Sequence, residues 1–407
     1  MRRSGFLATS AAFAAAGALP AHAQSAARPA IELGDDVLLN EAWIELGKRG
    51  VGIITNQSGV TSSRESIVDA LRERTHVRVK AIFAPEHGFR GDRPAGESVG
   101  SYVDEQTGLP VYSLYGATRH PSAAMLEGID VLLFDIQDVG SRAYTYISTM
   151  AYAMQGARDR GKEFWVLDRP NPVGGFAVEG PVLEPAYESF IGLYPIAMRH
   201  GMTIGELAHL FNEHFNIGAS LRVIKMRGWQ RSMIWADTGL PWIRTSPNVP
   251  TWQTAFALLC TGLVDNAGVN NGVGTPTPFF FAGGIDVAAE PLADTLSKRA
   301  LPGVAFAPAS WTPATGFWKD RELSGVELTI VDPRQFAPVR TAVEILVAVR
   351  RLFPNAISIK TAALDRDWGT DLLRQGLLSG ASAPAIVARW GEAVDSFETL
   401  REKYLLY

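Results

Sequence analysis

Ile129-Asp-Val-Leu-Leu-Phe-Asp-Ile-Gln-Asp138 opens as a nearly continuous apolar run and closes on carboxylates and an amide. A strand that is apolar on both faces belongs inside a sheet covered on both sides. Three further runs of this kind flank it: Val51-Gly-Ile-Ile-Thr55, Val77-Arg-Val-Lys-Ala-Ile-Phe83 and Phe164-Trp-Val-Leu167. Helical patterns lie between them. Ser62-x-x-Glu65 reads as a capping box ahead of Ile67, Val68 and Leu71, and 144–157 reads as a second helix. Strand and helix in alternation predict βαβ units, hence an α/β fold with a parallel sheet and helices on both faces.

Outward from this core, Thr203-x-x-Glu206 starts another capped helix, with Ile204, Leu207 and Phe211 on one side. Residues 239–285 are rich in Gly, Pro, Asn and Thr and show little periodicity. So long an irregular stretch is more often functional than idle. Beyond it, 325–331 reads as a strand, 338–352 as a helix and 384–404 as a helical tail with Pro384 in its first turn. Two domains are expected, 30–218 and 219–407.

The chain has 407 residues, 47% hydrophobic and 20% charged, which excludes a disordered or fibrous protein. Its 38 Lys and Arg against 42 Asp and Glu leave a formal charge of −4, not the basic balance expected of a general nucleic-acid binder. Arg2 and Arg3, the small apolar run 5–19 and Ala21-His22-Ala23 before Gln24 read as an export signal over 1–23. A periplasmic or secreted protein is therefore expected. No later segment is long and apolar enough for stable membrane insertion. Cys260, the one cysteine, follows the apolar run 256–259 and reads as packing; alone it forms neither a disulfide nor a thiolate zinc cluster.

In an open parallel sheet, ligands bind beyond the carboxyl ends of the strands. The four strands end in Asn56-Gln57-Ser58; Pro85-Glu86-His87-Gly88 with Arg90; Asp135-Ile136-Gln137-Asp138 with Arg142; and Asp168-Arg169-Pro-Asn171-Pro172. Polar groups thus converge on one rim. No Gly-x-Gly-x-x-Gly follows a strand, and Walker, Gly-x-Ser-x-Gly and His-Glu-x-x-His motifs are missing, so neither cofactor nor metal is expected. His209 and His214, five residues apart, point about 140° apart on a helix. Carboxylates with arginines, tyrosines and amides remain. That inventory suits sugar chemistry, in which an acid protonates the leaving oxygen and a second group handles water or developing positive charge.

The same residues carry a resemblance. Ile53-Ile-Thr-Asn-Gln-Ser-Gly-Val60, Pro85-Glu-His-Gly-Phe-Arg-Gly91, Leu114-Tyr-Gly116, Phe134-Asp-Ile-Gln-Asp-Val-Gly-Ser-Arg142 with Tyr144-Thr-Tyr146, and Leu167-Asp-Arg-Pro-Asn-Pro172 resemble the NamZ family of exo-β-N-acetylmuramidases. So do Arg199-His-Gly-Met-Thr-Ile-Gly-Glu-Leu207, Ser246-Pro-Asn-Val-Pro250 and Tyr404-Leu-Leu-Tyr407. The resemblance implies a Rossmann-like domain joined to a second α/β domain, with the active site in the cleft between. It implies removal of terminal N-acetylmuramic acid from peptidoglycan fragments or muropeptides, with Glu86 in the place of the family's proposed catalytic carboxylate. The chain departs from the family over 265–277. It has Asp265-Asn-Ala-Gly268, Asn270-Asn-Gly-Val-Gly-Thr275 and Thr277 where the family usually carries two glutamates, two arginines, a Ser and a Thr. That departure keeps open a non-catalytic binder of cell-wall sugars, or one of changed specificity.

Each candidate has a structural alternative. Glu86 is the general acid or a carboxylate bonded to nearby backbone; His87 shares its work or supports it. Asp135 and Asp138 supply the base or bind hydroxyls, or else cap a helix. Arg142 and Arg169 clamp a sugar carboxylate, or pair with Asp138 and Asp168. Tyr144 and Tyr146 offer hydroxyls or a stacking face, or pack the helix. Asn56, Arg90, Gln137, Asp168, Asn171, His200, Ser246 and Asn248 are further candidates for substrate binding. Arg244 stands where the family usually has prolines and offers a cation for the lactyl carboxylate in place of the two missing arginines. Glu206 reads as the return partner of Thr203. The tryptophans at 229, 235, 242 and 252 form a sugar platform or pack the core.

Overall fold

The computed structural model describes residues 31–94, 96–97 and 100–407, so the expected export signal lies outside them. Nine strands come first: β1 (Gly50–Thr55), β2 (Arg78–Ala84), β3 (Tyr102–Val103), β4 (Pro110–Ser113), β5 (Val131–Asp135), β6 (Glu163–Leu167), β7 (Glu179–Val182), β8 (Ala197–Arg199) and β9 (Ser220–Ile224). Seven make one sheet in the order β3-β4-β2-β1-β5-β6-β9. All its pairings are parallel except that of the edge strand β3. Counting only the parallel strands, the order is 3-2-1-4-5-6, the doubly wound Rossmann arrangement.

Alternation along the strands explains the double cover. Ile54, Leu132, Phe134, Phe164 and Val166 face the helices Tyr146–Arg158 and Ile204–Glu213. Their neighbours Ile53, Val131, Leu133, Trp165 and Leu167 face the helix Ile67–Arg74 on the other side. Both faces are apolar because both are buried.

The rest of the chain builds a second layered unit. Its strands β10 (Phe281–Gly284), β11 (Val304–Trp311) and β12 (Leu323–Ile330) form an antiparallel sheet in the order β10-β12-β11. The helices Gln253–Thr261, Ala289–Ser297 and Pro338–Leu352 pack into one core with it. Cys260 is buried in that core, where loss of solvation pushes its thiol well up.

Several elements differ from expectation. Thr203 and Glu206 do form the capping box, each accepting from the other's backbone N–H. Ser62 and Glu65 do not: Ser66 caps that helix, and Glu65 pairs with Arg74. The tail forms two helices, Ala383–Ala388 and Gly391–Arg401, broken where Trp390 turns into the core. β9 carries the first sheet past residue 218, the expected boundary. Its edge position leaves it half exposed, so it lacks the apolar signal of the inner strands. The stretch 239–285 contains the helix Gln253–Thr261 and β10.

Candidate active site

Strand order reverses at β1, which has β2 on one side and β5 on the other. The crevice past such a switch point is where an open sheet receives ligands. The loops after β1 and β5 are tied across it. Ser58 Oγ donates to Asn56 Oδ1 at 2.6 Å and accepts from Gln137 N at 3.1 Å. Gln137 Nε2 is spent on the carbonyls of Asp138 and Pro170. Asn56 Nδ2 and Gln137 Oε1 are buried and make no hydrogen bond among the described residues.

Glu86 enters from the end of β2. The turn after it is tight: Gly88 N donates to Pro85 O, and His87 takes φ 71°, in the left-handed region. The His87 ring holds the loop by placing Nδ1 2.8 Å from Arg93 O, so it supports the turn. Glu86 is 8% exposed. Its Oε1 accepts from Gly96 N at 3.0 Å and its Oε2 from Thr145 Oγ1 at 2.7 Å. Burial first, and the Glu86 carboxylate second, hold the Tyr115 phenol above its usual range. Thr145 therefore fixes the orientation of the Glu86 carboxylate. Thr145→Val is expected to lower kcat about tenfold, the low end for losing a hydrogen bond to a charged group, with KM little changed. Thr145→Ser should restore the rate. A shift in KM alone would contradict this role.

Tyr144 and Tyr146 flank Thr145. Their hydroxyls reach Thr245 Oγ1 at 2.8 Å and Thr245 O at 2.5 Å, and burial pushes both phenols up. Gln57 Nε2 bonds the carbonyls of Arg244 and Thr245. The segment 244–246 is thus pinned over the rim, with Ser246 buried, Asn248 half-buried and Arg244 exposed. Asp138 and His200 lie side by side. Asp138 Oδ2 accepts from Gly140 N, and Oδ1 is buried with no partner among the described residues. His200 Nδ1 accepts from Met202 N, so the ring proton sits on Nε2, 3.6 Å from Asp138 Oδ2 and making no hydrogen bond among the described residues.

Other candidates have different tasks. Asp135 is not available as a base: its Oδ1 takes Arg169 Nε at 2.5 Å, and Arg169 Nη2 reaches Asp35 Oδ2 at 2.6 Å. This triad is buried beneath the rim, so Arg169 is no free clamp. Burial raises both carboxyls despite the guanidinium between them; burial also works against the charge on Arg169, but the two acids outweigh it and hold the guanidinium above its usual range. Arg142, buried as well, donates to Pro181 O and Asp367 O and bolts the two units together; burial pushes it down to about 10. Asp168 accepts from Arg169 N, Gly205 N, Thr203 Oγ1 and the Tyr407 hydroxyl. It anchors a helix start and the chain's end, and burial, reinforced by Glu206, lifts it to about 7. Asn171 holds a turn through Val173 N and Met202 O. Arg90 Nη2 donates to both carboxylate oxygens of Asp104. Trp229, Trp235, Trp242 and Trp252 pack on neighbouring aromatic rings and form no platform.

The divergent loop is held by its own amides. Asn270 Oδ1 accepts from Trp311 Nε1 and Gly272 N, and Asn270 Nδ2 donates to Phe317 O. Asn266 bonds Asp367, the residue that also receives Arg142. Among the described residues, no cluster of His, Cys, Asp or Glu could hold a metal ion, and no helix is long and apolar enough to cross a membrane. Thr145, Tyr115, Thr245 and Asp35 are the residues that sequence reasoning missed. Thr145 and Tyr115 lay inside quoted motifs, next to residues that drew attention. Asp35 had no local signal.

Comparison with known proteins agrees with this geometry. Residues 51–253 match the N-terminal and residues 258–407 the C-terminal model of the exo-β-N-acetylmuramidase NamZ. The chain is 44% identical over 385 residues to the peptidoglycan β-N-acetylmuramidase NamZ of Bacillus subtilis, covering 94% of this chain and 93% of that one. Two crystal structures of DUF1343 family proteins from Bacteroides fragilis superpose with TM-scores of 0.86 and 0.76 at 39% and 29% identity. Each comparison covers 93% of this chain and 99% of the other. With both family models matched in order and a relative this similar over nearly its whole length, the chain belongs to the NamZ family.

Proposed function

We propose that the protein is a glycoside hydrolase that releases terminal N-acetylmuramic acid from peptidoglycan fragments, with Glu86 as general acid. The observation that carries this reading is the Glu86 carboxylate itself. It is buried at the sheet's switch point and held through both oxygens by Gly96 N and Thr145. A fixed, water-shielded carboxyl group can deliver a proton to a glycosidic oxygen without reorganising. Asp138 is the second group, used as base or as partner to developing positive charge, with His200 beside it. Asn56 Nδ2, Gln137 Oε1 and Asp138 Oδ1, buried and without protein partners among the described residues, meet the sugar's hydroxyl and acetamido groups. The similarity to the Bacillus subtilis muramidase supports the substrate class.

A second reading rests on the 265–277 loop, which lacks the family's usual charges: a non-catalytic or altered-specificity binder of cell-wall sugars. Incubation with β-linked chromogenic N-acetylmuramides and N-acetylglucosaminides separates the two. Muramide turnover supports the hydrolase; binding without turnover of either supports the alternative.

Export into the periplasm or beyond belongs to the same proposal, since peptidoglycan lies outside the cytoplasm. Protein recovered from the cell envelope is expected to begin near Gln24. An N-terminus that retains Met1 there would contradict it.

A further inference from the structure

N-acetylmuramic acid differs from N-acetylglucosamine by a lactyl carboxylate, and a buried or half-buried carboxylate requires a cation or several donors. Of the arginines named for this task, Arg142 and Arg169 are committed to buried structural contacts. Arg244 is exposed, and among the described residues no ring or acid holds its side chain.

Another cation, Arg119, is exposed as well but is held by an aromatic ring. Tyr115 follows β4, whose last residue pairs with Ala84 at the end of β2 just ahead of Glu86, and it packs its ring 5.7 Å from that of Phe190. Phe190 in turn stacks on Tyr152, centroids 5.9 Å apart and planes at 8°. The Arg119 guanidinium lies 4.0 Å from the Phe190 ring centroid. Stacking fixes the plane of a guanidinium and leaves its edge donors free. Among the described residues Arg119 makes no hydrogen bond or ion pair, and both it and Glu86 act on the Tyr115 phenol, Arg119 lowering and Glu86 raising it. The site thus has a pre-positioned fork of N–H donors on the aromatic cluster that includes Tyr115, which follows β4 where that strand ends beside β2 and Glu86.

We propose that Arg119, held on Phe190 and next to Tyr115, binds the carboxylate of the lactyl group, or of its amide-linked peptide stem, on the terminal sugar. This rests on the hydrolase reading above and names its specificity determinant. The guanidinium accepts a carboxylate side-on through two N–H donors. The faces of Tyr115 and Phe190 border the sugar's apolar side. A sugar without the acid forgoes this contact.

The test measures binding of free N-acetylmuramic acid, its lactyl amide and N-acetylglucosamine by calorimetry, using the native protein, Arg119→Ala, Arg119→Lys and Arg244→Ala. Loss of a charge-assisted contact should weaken the acid about 10- to 150-fold in Arg119→Ala. The amide and N-acetylglucosamine should change less than about twofold, Arg119→Lys should recover part of the loss, and Arg244→Ala should resemble the native protein. Equal weakening of all three sugars, no weakening, or a loss confined to Arg244→Ala overturns the proposal. A native protein that releases muramic acid but is indifferent to Arg119→Ala keeps the hydrolase reading and loses this subsite. One that neither releases nor binds it loses both.

Discussion

Glu86→Gln is expected to abolish most hydrolysis while leaving the fold and sugar binding in place. General acid catalysis is worth about 10²- to 10⁴-fold in rate, and the loss should fall in that range. The amide retains the shape of the carboxyl group and can still accept from Thr145 through its oxygen, giving up the bond from Gly96 N, so the fold should survive. The proton it cannot supply matters most for poor leaving groups. A chromogen with a very acidic leaving group should therefore lose less than a sugar aglycone. A loss under roughly threefold on both substrates would remove Glu86 from the acid's role. Thermal denaturation of the variant checks that lost activity is not lost structure.

The second large effect concerns stability. Arg169→Met leaves Asp35 and Asp135 facing each other in the interior without a cation. Removing one partner of a buried ion pair typically costs about 3–5 kcal/mol, and two stranded acids place this variant at the upper end. The pH dependence follows from the direction of the shifts. Burial already raises both carboxyls above their usual range in the native protein, and loss of Arg169 raises them further. A folded carboxyl raised above its unfolded value favours the fold at low pH, and that contribution is lost as pH rises through the range between the two. The variant should therefore lie closest to the native protein near pH 4–5, about the ordinary carboxylate range, and fall furthest behind at pH 8. Urea unfolding across that range measures it. A deficit below about 1 kcal/mol at pH 8, or one that shrinks as pH rises, would show that the triad is not the buried charge cluster described.

The central strands were legible because burial on both faces demands residues apolar at every position, and β1 and β5 satisfy that along nearly their whole length. The outer strands β4 and β9 were not, since several of their side chains are only partly buried and dilute the pattern. The site was legible at the level of the rim. A parallel sheet sends every strand's carboxyl end to the same side, so Asn56, Glu86, Gln137 and Asp138 had to meet. What each rim residue does there depends on partners distant in sequence. Asp135 and Asp138 are three residues apart and look alike, yet Asp135 is taken by Arg169, which is itself shared with Asp35, 134 positions away. Arg142 likewise looked like a clamp until Pro181 and, from the second unit, Asp367 supplied carbonyls. A strand-end motif thus fixes where a side chain starts; long-range packing decides whether it faces the ligand or the core.

The release of free sugar from two defined disaccharides, one ended by β-linked N-acetylmuramic acid and one by β-linked N-acetylglucosamine, tests the account most directly. Purified protein lacking residues 1–23 should liberate N-acetylmuramic acid from the first and nothing from the second, and Glu86→Gln should liberate neither. No free muramic acid from the first, or equal release from both, would contradict it.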